Sequence, residues 1–239
     1  MPASIKSVII RYEKQNINRI HRKIVVIVFS LLWVGCSLLA QTQQQRLERH
    51  LYYLASDSLQ GRKAGTDDSR KAAAYIENEY RQMGLQPFGS TYRHYFIMQA
   101  ASLRGGAMPI NPDSADYYAE HDRTVYCNLV GIIPGSDPAL KNEFIVVGGH
   151  YDHLGVRNGE VYNGADDNAS GTAAITEMAR QLLARRGELK RSVIICVFDA
   201  EEMGLYGSKA LSKEMARLGL IGKVKMMMSI DMVRKLIVR

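Results

Sequence analysis

The sequence predicts an α/β fold, a three-layer sandwich whose mostly parallel central sheet carries helices on both faces. Three observations predict it. Strand-like and helix-like segments alternate between residues 128 and 230, the order that builds sheets with crossover helices. Residues 193–198 are apolar throughout, as in a strand covered on both faces. Three apolar segments, 144–147, 193–198 and 226–230, each run into acidic or imidazole side chains. In open α/β sheets, ligands bind at the C-terminal strand edge.

Residues 1–40 stand apart as a signal peptide. Arg19, Arg22 and Lys23 precede an uncharged run over 24–40. That run has the length of a signal-peptide apolar region and falls short of the roughly 20 residues that span a membrane. The polar Gln41-Thr42-Gln43-Gln44-Gln45 follows, which places cleavage near Ala40. An exported protein is expected, periplasmic or extracellular. A short uncleaved anchor is the alternative. A lipid anchor at Cys36 is a further one, but the bulky Trp33 three positions upstream argues against it, so Cys36 reads as an ordinary apolar-region cysteine.

Residues 41–239 form the expected domain. A helix is expected over 44–55 and a glycine-punctuated loop over 58–66. Ser69 is expected to cap a helix that places Ala72, Ile76 and Tyr80 on one face and stops at Gly84. Residues 85–123 are broken by Pro87, Gly89, Gly105, Gly106, Pro109 and Pro112, so loops with one or two edge strands are expected. Residues 128–133 read as a strand closed by the turn Pro134-Gly135-Ser136-Asp137-Pro138. A strand at 144–147, a helix from Ser170 to about Arg186 and a strand at 193–198 follow. Then come a helix from Ser208 to Gly219 and a last strand at 225–230.

Charge excludes one class of partner. The chain carries a net +7. Lys6, Arg11, Lys14, Arg19, Arg22 and Lys23 against Glu13 put +5 of it in residues 1–40, which leaves +2 for the domain. No basic stripe interleaved with aromatics remains there, so nucleic acid is not an expected partner. Cys127 and Cys196 lie in strand contexts and read as buried free thiols rather than a disulfide framework.

Three clusters carry chemistry. In Gly148-Gly149-His150-Tyr151-Asp152-His153, His150 is a candidate zinc ligand, and Asp152 supplies the carboxylate that fixes its other nitrogen. His153 sits one residue too close to share that geometry and reads as a surface or supporting residue. In Gly164-Ala165-Asp166-Asp167-Asn168-Ala169-Ser170-Gly171 a helix cap explains one aspartate, and a nearby cation explains both. In Asp199-Ala200-Glu201-Glu202 one glutamate can hold a metal while the other acts as a general base beside it. Helix N-terminal acidity is the competing account. Asp231 ends the last strand at the same sheet edge.

Together these blocks resemble the secreted di-zinc aminopeptidases, from residue 47 to 233. Leu54-Ala55-Ser56-Asp57-Ser58-Leu59-Gln60-Gly61-Arg62, Asn128-Leu129-Val130-Gly131, Met203-Gly204-Leu205-Tyr206-Gly207-Ser208 and Ser229-Ile230-Asp231-Met232-Val233 extend the likeness. The resemblance implies an aminopeptidase that hydrolyses N-terminal residues of peptides through a metal-activated water. It implies that His150 and Asp231 bind one zinc, that Asp167 bridges two, and that Glu202 binds the other. It makes Glu201 the general base and Asp152 the group that orients His150, and it implies a cis peptide at Asp167-Asn168. The partners it implies are peptides with a free N-terminus.

The same resemblance implies a fifth ligand, a histidine beyond the last matched strand, which the sequence does not supply. Arg234 stands where the family has glycine. The chain is thus expected to be a C-terminally truncated member with an open sheet edge. One zinc keeps His150, Asp167 and Asp231; the other keeps only Asp167 and Glu202 and is expected to be weak. A single-zinc glutaminyl cyclase-like enzyme and an inert fragment are the alternatives.

Overall fold

A mixed sheet of seven strands carries the fold. The structure, a computed structural model, describes residues 41–99, 106–121 and 123–233. The expected signal peptide, residues 1–40, and Cys36 within it lie outside them. The compact unit begins at Gln43. Among the described residues no helix is long and apolar enough to cross a membrane.

Strands β1 (Gln86–Pro87), β2 (Arg93–Gln99), β3 (Gly106–Pro109) and β4 (Val125–Ile133) form one half of the sheet. Strands β5 (Phe144–His150), β8 (Ser192–Phe198) and β9 (Val224–Ser229) form the other. The order is β3-β2-β4-β8-β5-β9, with β1 paired to β4. β5 runs parallel to both β8 and β9, whereas β4 joins β8 antiparallel. The parallel half therefore holds all three strands that point at the candidate ligands. A small hairpin, β6 (Gly155–Arg157) and β7 (Glu160–Tyr162), stands off the sheet.

β8 shows why the sheet is central. Side chains alternate between faces along a strand. Val193, Ile195 and Val197 enter one core with Leu54, Ala72, Ile76, Tyr80, Ile175 and Ala179. Those partners come from helices α1 (Gln43–Leu54), α2 (Asp67–Met83) and α4 (Gly171–Ala184). Ile194, Cys196 and Phe198 enter a second core with Leu211 and Met215, which lie on α5 (Tyr206–Arg217). A short α3 (Ala115–Glu120) lies between β3 and β4 in sequence. Helices on both faces make the three layers. At the outer edge, β9 leaves Met226, Met227 and Met228 exposed.

Two local details differ from the expectations. Thr66, not Ser69, caps α2: its hydroxyl accepts the Ser69 N–H. Asp67 and Asp68 then fill the first turn, where acidic side chains meet the positive end of the helix dipole. The β5 strand continues through Gly148 and Gly149 to His150, so the ligand sits on the sheet itself. Cys127 and Cys196 are buried and free, and burial pushes both thiols well above their usual range.

Two histidines, His50 buried and His94 half-buried, give the fold a pH dependence. His50 contacts the Tyr75 hydroxyl at 2.7 Å, and His94 lies 3.0 Å from the Asn128 amide. Burial lowers each to about 4. The unfolded chain then binds protons that the folded chain refuses. Stability contributed by these neutral rings is present above about pH 6.5 and drains as pH falls toward 4. Denaturant midpoints across that window should fall with pH, and His94→Asn should flatten the slope. An unchanged slope would remove His94 from the account.

Candidate metal centre

The site is built where three parallel strands end together. β5 pairs His150 with Phe198 of β8 and Gly148 with Ser229 of β9. That register brings His150, the 199–202 turn and Asp231 to one edge. The His150 carbonyl accepts from the Thr172 hydroxyl at 2.8 Å, which ties β5 to α4. Gly149 is required by close approach: a Cβ there would stand 2.4 Å from the Ile230 carbonyl oxygen.

His150 Nε2 lies 3.2 Å from Asp167 Oδ1, 3.5 Å from Asp231 Oδ1 and 3.9 Å from Glu201 Oε2. Its Nδ1 lies 3.1 Å from the Asp152 carbonyl oxygen and 3.6 Å from Asp152 Oδ1. A proton on Nδ1 donated to that carbonyl leaves Nε2 with its lone pair facing the three carboxylates. Asp152 is fully buried. Its carboxylate also accepts the main-chain N–H of Glu201 at 3.1 Å and of Glu202 at 3.4 Å. One side chain thus sets both the His150 ring and the turn that carries the glutamates.

Burial works against a charged His150, but Asp152 and Glu201 outweigh it and raise the ring to about 9. Burial first, with Asp152, Glu202 and Asp231 adding to it, raises Glu201 against the opposing effect of His150. Among the described residues, the ion pairs of Asp167, Glu201, Glu202 and Asp231 are all with His150 or His153. Several carboxylates facing one another repel, and a bound cation relieves that repulsion.

The donor set fits zinc. His150, Asp167 and Asp231 offer one group of converging atoms, and His153, Asp167 and Glu202 offer a second. Zinc–ligand bonds of about 2.0–2.2 Å in a tetrahedral site place ligand atoms roughly 3.3–3.6 Å apart. The His150 contacts to Asp167 and Asp231 match that spacing. Asp167 belongs to both groups, and the peptide between it and Asn168 is cis.

The structure brings Glu201, Asp152, His150, Asp167, Glu202 and Asp231 together. Of the two readings of His153, surface or supporting residue, burial removes the first: the ring is buried with Nδ1 at 2.6 Å from Glu202 Oε1 and 3.8 Å from Asp167 Oδ2. Spacing from His150 argues against a shared ion but says nothing of a second one.

Asn168 is the positioning residue that sequence reasoning missed. Its amide donates to the Ile230 carbonyl at 3.0 Å. Its oxygen accepts the Gly171 N–H at 3.0 Å and the Met232 N–H at 3.2 Å. These bonds pin both sides of Asp231 to the turn carrying Asp167. Asn168→Ala should weaken zinc at the His150 position by about 10–100-fold, the usual cost of removing a group that orients ligands. Competition with a metallochromic chelator measures it, and unchanged affinity would refute the role.

Fold and donor set together describe a three-layer α/β domain with a candidate metal centre at the C-terminal edge of its parallel strands. Residues 128–236 match the family model of Peptidase family M28. Leucine aminopeptidase 1 of Sclerotinia sclerotiorum is 32% identical over 134 residues, covering 52% of this chain and 33% of that protein. The crystal structure of LapA from Legionella pneumophila aligns with a TM-score of 0.55 at 24% identity, over 79% of this chain and 43% of that one. A glutaminyl cyclase from an Acidobacteriales bacterium aligns with a TM-score of 0.57 at 19% identity, over 81% and 60%. These two structural likenesses concern the fold alone. The chain spans about a third of the length of the leucine aminopeptidase it matches. The likeness to Peptidase family M28 thus lies in residues 128–236, and the aminopeptidase relatives are matched over part of their own length.

Proposed function

We propose that the protein is a zinc-dependent exopeptidase that hydrolyses N-terminal residues of peptides. The observation that carries the reading is the pair of donor groups sharing Asp167, with Glu201 beside them. His150, Asp167 and Asp231 would hold one zinc, and Asp167 and Glu202 the other. Zinc bound there supplies a polarised scissile carbonyl and a water acidified toward neutral pH.

The chain's own residues do the rest. Glu201 takes the proton of the attacking water and returns it to the departing amine. Its raised pKa brings it nearer the pH at which it works. Asp152 holds His150 and the Glu201 main chain in register. Asp231, half exposed at the rim, faces where a substrate's free amino group would sit. The basic, then apolar, then polar succession before residue 46 supports export.

A single-zinc glutaminyl cyclase-like activity is the second reading, favoured only by the fold likeness. Two donor groups sharing one carboxylate suit two ions better than one. Purified protein should release nitroaniline from aminoacyl-nitroanilides, lose that activity to a chelator and regain it with zinc. Pyroglutamate formation instead would establish the cyclase reading. No activity with zinc restored would overturn both.

A further inference from the structure

We infer that Asn128 and Asp199 form a clamp that sets the loop carrying Glu201, which makes Asn128 a positioning residue for the proposed base. The inference rests on the reading of Glu201 above and deepens it.

The clamp begins where a strand pair ends. β4 and β8 pair as far as Leu129 and Val197. Beyond that point side chains replace main-chain partners. The Asp199 N–H donates to Asn128 Oδ1 at 3.0 Å, and the Cys127 N–H donates to Asp199 Oδ2 at 3.2 Å. Asp199 Oδ1 also accepts the Ala200 N–H at 3.0 Å. Asn128 Nδ2 reaches the far end of the loop, where it donates to the Gly207 carbonyl at 2.9 Å. One amide on β4 thus holds residues 199 and 207 together. Asn128 is fully buried, where bulk water does not replace a lost partner. Gly207 is required by this contact: a Cβ there would stand 2.4 Å from Asn128 Oδ1 and 2.3 Å from the Asp199 carbonyl oxygen.

Packing alone does not hold this loop. Between Ala200 and Gly207 no residue is buried. Within the loop the Glu201 carbonyl accepts the Gly204 and Leu205 N–H groups, each at 2.8 Å, and the Ala200 carbonyl accepts the Tyr206 N–H at 3.0 Å. The loop is therefore a closed unit, placed by its two ends and by Asp152. Ala200 and Leu205 are left-handed, at φ 55° and 62°. That conformation is costly for residues with a Cβ and persists where the surroundings impose it. The rival role for Asn128 is a core residue that supports the fold and nothing more.

Asn128→Ala removes the clamp and Gly207→Ala wedges it open. Both should keep the wild-type zinc content and circular dichroism. Amide exchange over 199–207 should quicken by about tenfold or more. On an aminoacyl-nitroanilide kcat should fall by about 100-fold, the cost of a misplaced group, with KM little changed. The loss should disappear in a Glu201→Gln background, because a positioning residue acts through the group it positions. His94 contacts the second Asn128 N–H at 3.0 Å, outside the loop, so His94→Asn should keep the wild-type kcat. Unchanged exchange, or an equal loss of kcat with and without Glu201, would overturn the inference. If Asn128→Ala does not fold, Gly207→Ala carries the same test, and loss of the fold in both would make Asn128 a core residue only. A wild type inactive with zinc restored would overturn the proposed function instead, and the exchange rates would then decide the clamp.

Discussion

Glu201→Gln should lower kcat by about 100- to 10,000-fold, the range a positioned general base contributes, while zinc content and fold stay unchanged. The substitution keeps the size of the side chain and removes its ability to accept a proton. The Glu201 main-chain N–H still donates to Asp152 at 3.1 Å, so the turn should keep its place. The carboxylate stands 3.9 Å from His150 Nε2, farther than Asp167 and Asp231 do, and belongs to neither group of converging ligand atoms. A base is expected in that place: beside the ions, not on them. Because burial and the neighbouring carboxylates raise Glu201, the acid limb of kcat/KM should lie above the ordinary glutamate range and vanish in Glu201→Gln. Single-turnover rates and zinc analysis of the same preparation make the check. Loss of zinc would make Glu201 a ligand instead, and an unchanged kcat would remove it from the chemistry.

The sequence made the sheet edge legible because parallel strands all deliver their C-terminal residues to one side. Residues 193–198, apolar throughout, could only be a strand buried on both faces, and β8 is one. With β5 and β9 on the same axis, His150, Glu201, Glu202 and Asp231 follow from strand ends alone. What was not legible depends on contacts between distant segments. Asn168 reads as part of a small-residue loop until Ile230 and Met232 are seen to lean on it. His153 looks too close to His150 until the 164–167 turn passes beside it. The sheet is mixed, because β4 enters antiparallel after the broken segment 85–123, and no hydrophobic period records strand direction. Thr66 took the cap from Ser69 because capping depends on the backbone angle of the residue before the first turn, not on residue type alone.

Arg62→Met should cost about 3–5 kcal/mol of folding stability, the range for removing one partner from a buried charged network. No side chain in the described core is more demanding. Arg62 is fully buried, and burial lowers it to about 10, with Asp152 and Asp167 favouring its charge. Its guanidinium donates to the carbonyls of Tyr151 at 2.8 Å, Asn163 at 2.7 Å and Gly164 at 3.0 Å, and also to that of Leu54. Those four carbonyls belong to the end of α1, the strand exit beside His150 and the turn leading to Asp167. Methionine fills the space and leaves the oxygens without a donor, each at a cost of about 1–3 kcal/mol where water cannot reach. The loss is a large share of the roughly 5–15 kcal/mol that holds a domain together. Arg62→Lys keeps the charge but cannot fork to four acceptors, so it should fall between wild type and methionine. The denaturant midpoint should drop with its slope unchanged. Saturating zinc should recover part of the loss, because ions bind only the folded arrangement. A loss below about 1 kcal/mol would mean that water or a backbone shift replaces these bonds, and that Arg62 does not hold the metal loops to the first helix.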